Sequence, residues 1–194
     1  MRTEYEQAAY DAVDENGGDV GGPVGWFGKA TLFDGGPRLV QQNSDGVITV
    51  TEFEKAEDRD ERYEELERAH ALGELGIDEQ TQRLIIEAYK GAAVYAEFDE
   101  AGYPWSITAQ KRVIAEVLDF VIQNHDEIIE WQKRTGHTWE QVGIDFEFSR
   151  NDRAENFSTR PFAGDVGETL DATARAWGSA TPVLHDGEVY LEEA

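Results

Sequence analysis

Gly143-Ile144-Asp145-Phe146-Glu147-Phe148-Ser149-Arg150-Asn151 is the stretch on which the fold turns. Ile144, Phe146 and Phe148 alternate with Asp145, Glu147 and Ser149, at the two-residue period of a half-buried strand. The pattern predicts a strand with one apolar and one polar face, running into a loop where Arg150, Arg153 and Arg160 fall within eleven residues. Two readings of that loop stand side by side. Arg150 and Arg160 clamp a carboxylate or phosphate with bidentate hydrogen bonds, or Asp145 and neighbouring acids pair with the same arginines and pin the loop to the sheet. The surplus of carboxylates, competing for every guanidinium, favours pinning.

Upstream, Asp78 is placed to cap a helix in which Leu84, Ile85, Ala88, Ala92, Tyr95 and Ala96 share a face, ending near Phe98 before Gly102-Tyr103-Pro104. A further helix begins near Ser106 or Thr108. Ile114, Val117, Leu118, Val121, Ile122, Ile128 and Ile129 form its apolar stripe, and it breaks near Asn124. Glu116, Asp119, Glu127 and Glu130 line the opposite side. This row is a solvated face, or a set of carboxylates about 5–6 Å apart that imitates a phosphate backbone for a cation-lined groove. His125 lies within the apolar stripe, where a packed, hydrogen-bonded core residue is the expectation.

Downstream, Asp165-Val166-Gly167-Glu168 opens a helix with Val166, Leu170, Ala174 and Trp177 on one face and Gly178 as its stop. Thr181 to Leu191 reads as a hairpin turning at Asp186-Gly187, with Pro182 at an edge.

The N-terminal part differs in character. Thr3 to Val13 has the form of a capped amphipathic helix, and Asn16 to Gly25 is a glycine-rich linker. Residues 29 to 53 read as a three-stranded meander turning at Asp34-Gly35-Gly36-Pro37 and Asn43-Ser44-Asp45-Gly46. Glu52 to Arg68 holds nine acids and four bases with few apolar residues, which predicts a solvated spacer helix. Gly25-Trp26-Phe27-Gly28-Lys29 superficially suggests a phosphate-binding loop. Pro23 and Ala30 occupy positions where that motif needs its first glycine and its magnesium-binding hydroxyl.

The expected architecture is α+β: amphipathic helices packed on an antiparallel or mixed sheet, preceded by a helical arm and a small β-meander. The expected divisions are 1–25 (helix and linker), 26–75 (meander and acidic helix) and 76–194 (the α+β domain).

The 194 residues include 41 acids and 17 bases, for a formal charge of −24. Such a field repels nucleic acid and anionic membranes and attracts basic surfaces. The bases divide into five Lys and twelve Arg, a lysine-poor balance that suits molar salt, where the Debye length of about 3 Å screens self-repulsion. Cysteine is absent, which excludes disulfides, thiolate zinc sites and a cysteine nucleophile. No apolar run reaches the length of a membrane span, and Met1-Arg2-Thr3-Glu4 does not begin a signal peptide. His137, Asp145, Glu147 and His185 lack a metal-ligand spacing. Ser149 and Ser158 lack a nucleophile context. Neither a metal, another cofactor nor a catalytic residue is therefore expected.

Several segments together resemble a known group. They are Ala88-Tyr89 with Ala92-Ala93, Phe98 to Pro104, Gly143 to Phe146 with Ser149-Arg150-Asn151, then Phe162, Gly167, Leu170, Ala174 and Gly178, and lastly Asp186-Gly187-Glu188-Val189-Tyr190. Over about residues 84–190 they resemble small acidic proteins of tailed bacteriophages and archaeal viruses, whose C-terminal pattern is G-H-D-F-W-L-T-R-N, F-W-D-R, a helix and D-G-x-V-Y. Ile144 replaces the His, and Phe157-Ser158-Thr159-Arg160 replaces Phe-Trp-Asp-Arg. Asp145, Phe146, Arg150, Asn151 and Arg160 have counterparts. The group has no established activity, so the resemblance implies a viral accessory origin and no mechanism.

The expectation is a virus-encoded accessory protein, not an enzyme, that acts by binding a basic surface of a host or viral protein. It would serve as a nucleic-acid-mimicking inhibitor of a host nucleic-acid-handling or defence protein, in the host cytoplasm or virion-associated, without direct nucleic-acid or membrane binding. The alternatives are a virion or assembly component, and a small anion-binding protein or enzyme using the arginine loop.

Overall fold

The computed structural model describes residues 26–31, 37–42, 48–98 and 102–193. The helix expected over Thr3 to Val13 and the linker to Gly25 lie outside them. The chain forms two compact units, Met1–Ile77 and Asp78–Ala194.

In the first unit, β1 (Trp26–Thr31), β2 (Pro37–Gln42) and β3 (Ile48–Glu52) form an antiparallel sheet in that order. Residues 26–29 are thus part of a strand, which rules out a phosphate-cradling turn there. Arg38 stands opposite Glu52 and pairs with it at 3.1 Å. Helix α1 (Ala56–Glu74) carries surface pairs such as Arg62–Glu65 at 2.5 Å. It is more than a spacer, because Leu66 packs on Leu39 with Phe53 and Tyr63 at the margin, and Leu72 is fully buried. Gly76, at φ 73°, closes the helix while the Ile77 amide reaches back to the Leu72 carbonyl, as in a Schellman cap.

The second unit is predominantly helical. Helix α2 (Glu79–Phe98) starts where the Asp78 carboxylate accepts from the Thr81 amide at 2.8 Å. Ser106 caps α3 (Ile107–Gln123) by accepting from the Ala109 amide. Asn124 ends α3 by donating to the Phe120 carbonyl and gives no side-chain cap to α4 (His125–Thr135). Gly136, at φ 75°, stops α4.

The stretch from Gly143 is helical, contrary to the expected strand: α5 spans Trp139–Arg150. In a helix, residues two apart point about 200° away from each other. Phe146 is buried in the core whereas Ile144 and Phe148 are partly exposed on another side. A helix with apolar residues on two opposite sides mimics the two-residue alternation of a strand. Val142, Gly143, Asp145, Phe146, Glu147, Ser149 and Arg150 are all buried, so the polar residues at the centre of α5 do not mark out a solvated face from which an amphipathic period could be read.

Around α5 the core is aromatic. Phe120 stacks on Phe146 at 4.1 Å and 11°, and Trp131 meets Phe157 edge-on at 5.2 Å while donating its indole N–H to the Phe157 carbonyl. Gly143 lets α5 approach α2 closely, because a Cβ there would overlap the Ile85 carbonyl oxygen. After a short 3-10 turn (Phe157–Thr159) comes α6 (Gly164–Ala176), then the antiparallel hairpin β4 (Ala180–His185) and β5 (Glu188–Glu193). Asp186 and Gly187, at φ 49° and 84°, form its turn. The class is therefore α+β, with the second unit's regular strands, among the described residues, confined to this hairpin.

Candidate functional site

The residues singled out by sequence converge on α5, and four of its buried polar side chains reach four different parts of the unit. Asp145 receives Arg160 bidentately, from Nε at 2.9 Å and Nη2 at 2.6 Å, and also accepts from Gln141 at 2.7 Å. Glu147 receives Arg153 at 3.0 Å, and Arg153 extends to Glu97 of α2 at 2.7 Å. Ser149 donates to Asp171 of α6, whose other oxygen accepts from the Ser158 amide. Arg150 donates to Glu116 of α3 at 2.6 Å and to the Gly178 carbonyl just beyond α6 at 2.5 Å. That last bond places a cation at the negative end of α6, where the helix dipole favours it.

Asn151 finishes the set. It donates to Glu147 at 2.9 Å and accepts from the Ala180 amide at 3.0 Å, which ties the end of α5 to the start of β4.

Burial governs the electrostatics. It pushes the Glu147 carboxyl above its usual range, with Arg153 and Asn151 opposing the shift. It also pushes the Tyr89 hydroxyl up to about 12, against the pull of Arg150. Arg150 itself is held above its ordinary value: burial works against its charge, but Tyr89 and Glu116 outweigh that effect. Each guanidinium of the loop therefore has a carboxylate, and together they pin the loop to a helix rather than to a sheet. The arrangement fixes elements in place and leaves no open pair of arginines to clamp an anion.

The acidic row divides. Glu116 is drawn inward between Arg112 at 2.9 Å and Arg150. Asp119 stays on α3, whereas Glu127 and Glu130 belong to α4, Glu130 pairing with Arg134 at 2.9 Å. His125 opens α4 and stacks over Trp139 at 6.4 Å, so it edges the core without entering it. His137 stacks on Trp131, and His185 sits in the hairpin beside Asp186. Among the described residues, no three His, Asp or Glu side chains gather to hold a metal ion. Ser149 is buried and donates to Asp171, a contact that joins α5 to α6.

Sequence reasoning missed Glu97, Glu116 and Asp171 as the partners of this cluster. Their separations from Arg153, Arg150 and Ser149 are 56, 34 and 22 residues, beyond any local pattern. The helix itself had a signal: reading back from Gly143 places Trp139, Val142, Phe146 and Arg150 at helical spacing.

Compared with known proteins, the chain matches no family model, no curated protein and no solved structure. Among the described residues, no helix is long and apolar enough to cross a membrane.

Proposed function

We propose that this is a virus-encoded acidic accessory protein that acts by binding, without catalysis, and that its target is a basic, nucleic-acid-handling surface on a host protein. The observation that carries this reading is the internal neutralisation of Arg150, Arg153 and Arg160. Residues 78–194 contain 23 acids and ten bases. Setting aside those three arginines and the buried Asp145, Glu147 and Asp171 leaves 20 acids against seven bases. The outward field of this unit is therefore strongly negative, which steers cationic partners toward it. The viral origin rests on the resemblance over residues 84–190. The anion-clamp alternative loses its support because the guanidiniums it needs already hold carboxylates.

The test is affinity capture from host extract at native salt, with wild type beside an Asp119→Asn, Glu127→Gln, Glu130→Gln variant. Glu116 stays intact because it holds Arg150. A basic protein retained by wild type and depleted about tenfold by the variant is the expected result; equal retention contradicts it.

A further inference from the structure

Resting on that reading, we propose that the groove between α2 and α5 is the docking site for an amphipathic helix of the basic partner. From α2 it is lined by Leu84, Ala88, Ala92 and Tyr95, and from α5 by Ile144 and Phe148. Leu84 is 47% and Tyr95 63% exposed, so large apolar side chains face water along one continuous surface. Residues 144 and 148 are the second apolar side of α5, opposite the Phe146 side that the core covers. A helix that is apolar on both sides is ordinarily covered on both.

Gly91 lies in the same groove, inside α2. A Cβ there would meet nothing, so the chain's own packing does not require a glycine at a position where it weakens the helix. An incoming element that approaches the α2 backbone does require it.

The charge and length of the groove define the occupant. Both charged residues lining it are glutamates, Glu87 and Glu140. Glu87 is paired with Lys90 at 2.9 Å, and Glu140 has no ion pair among the described residues. A second copy of this chain would bring carboxylate to carboxylate, whereas Lys or Arg flanking an apolar ridge complements them. Leu84 to Tyr95 spans about 16 Å of helix, which matches three turns of a helix presenting apolar residues at i, i+3 or i+4, and i+7.

The experiment titrates the full chain, by fluorescence anisotropy at one salt concentration, with three labelled peptides of about 18 residues, or five turns. One has a leucine ridge flanked by lysines, one is its scramble of equal composition, and one has the same ridge flanked by glutamates. The lysine-flanked ridge should bind saturably and about tenfold more tightly than either control. Leu84→Ser with Tyr95→Ser, and separately Gly91→Gln, should each lower that affinity about tenfold. Gly91→Gln suits helix geometry and fills the groove, so it reports on docking without threatening the fold.

Equal binding of the scramble would overturn the groove while leaving the acidic-surface reading intact. Equal binding of the glutamate-flanked peptide would overturn the basic occupant. A dimer in sedimentation that dissociates on Tyr95→Ser would assign the face to a second copy and overturn the proposal.

Discussion

Glu147 is a carboxylate with no exposed surface, and its burial makes a prediction with a definite sign. Its folded pKa lies above the usual value because desolvation outweighs Arg153 and Asn151. Between the unfolded value, about 4.3, and the raised folded value, the native state binds more protons than the unfolded state. Stability contributed at this position is therefore present in acid and lost as pH rises through that window. Glu147→Gln does not titrate, so the variant's melting temperature relative to wild type should climb as pH rises above about 4.3 and through the raised folded value; parallel curves would contradict the assignment. Gly143 makes a steric prediction. An alanine Cβ there overlaps the Ile85 carbonyl and lies 3.1 Å from the Tyr89 amide nitrogen. Gly143→Ala should cost about 1–3 kcal/mol in denaturant unfolding, the scale of overpacking.

The elements differ in how far their own residues announce them. Where an end is marked by a local device, the sequence reading placed it well: Asp78 and Ser106 at helix starts, Gly178 at a stop, Asp186-Gly187 at the hairpin turn. Helix α5 has no such clarity, because Asp145, Glu147 and Arg150 are buried and its apolar residues lie on two sides. Its polar set looked like a solvent face, and only partners distant in the chain make those groups tolerable inside. The pairing of the arginines with carboxylates was legible from their local abundance; which carboxylates, apart from Asp145, was not. The role of α5 as the central packing element makes Phe146→Ala, which removes the ring stacked on Phe120, a costly change of about 3–5 kcal/mol. In α2 the expectation reverses: Gly91→Ala meets no neighbour and should raise stability by about 0.5–1 kcal/mol, read as a shift of the unfolding midpoint.

At the scale of the molecule, the charge of −24 makes stability depend on salt. Self-repulsion on this scale weakens as salt screens it, so the melting temperature should rise between about 0.1 and 1 M KCl; a flat response would mean that the acids are already balanced locally. The claim on which the functional reading turns is that the cations at positions 150, 153 and 160 are committed inside the fold, leaving an acidic exterior to meet a basic partner. The most direct measurement follows the Nε–Hε NMR signals of these three arginines while pyrophosphate is titrated into the full chain. The prediction is three signals that stay in place throughout the titration. A saturable shift of two or more, reporting an anion that displaces Asp145, Glu147 or Glu116, would contradict it.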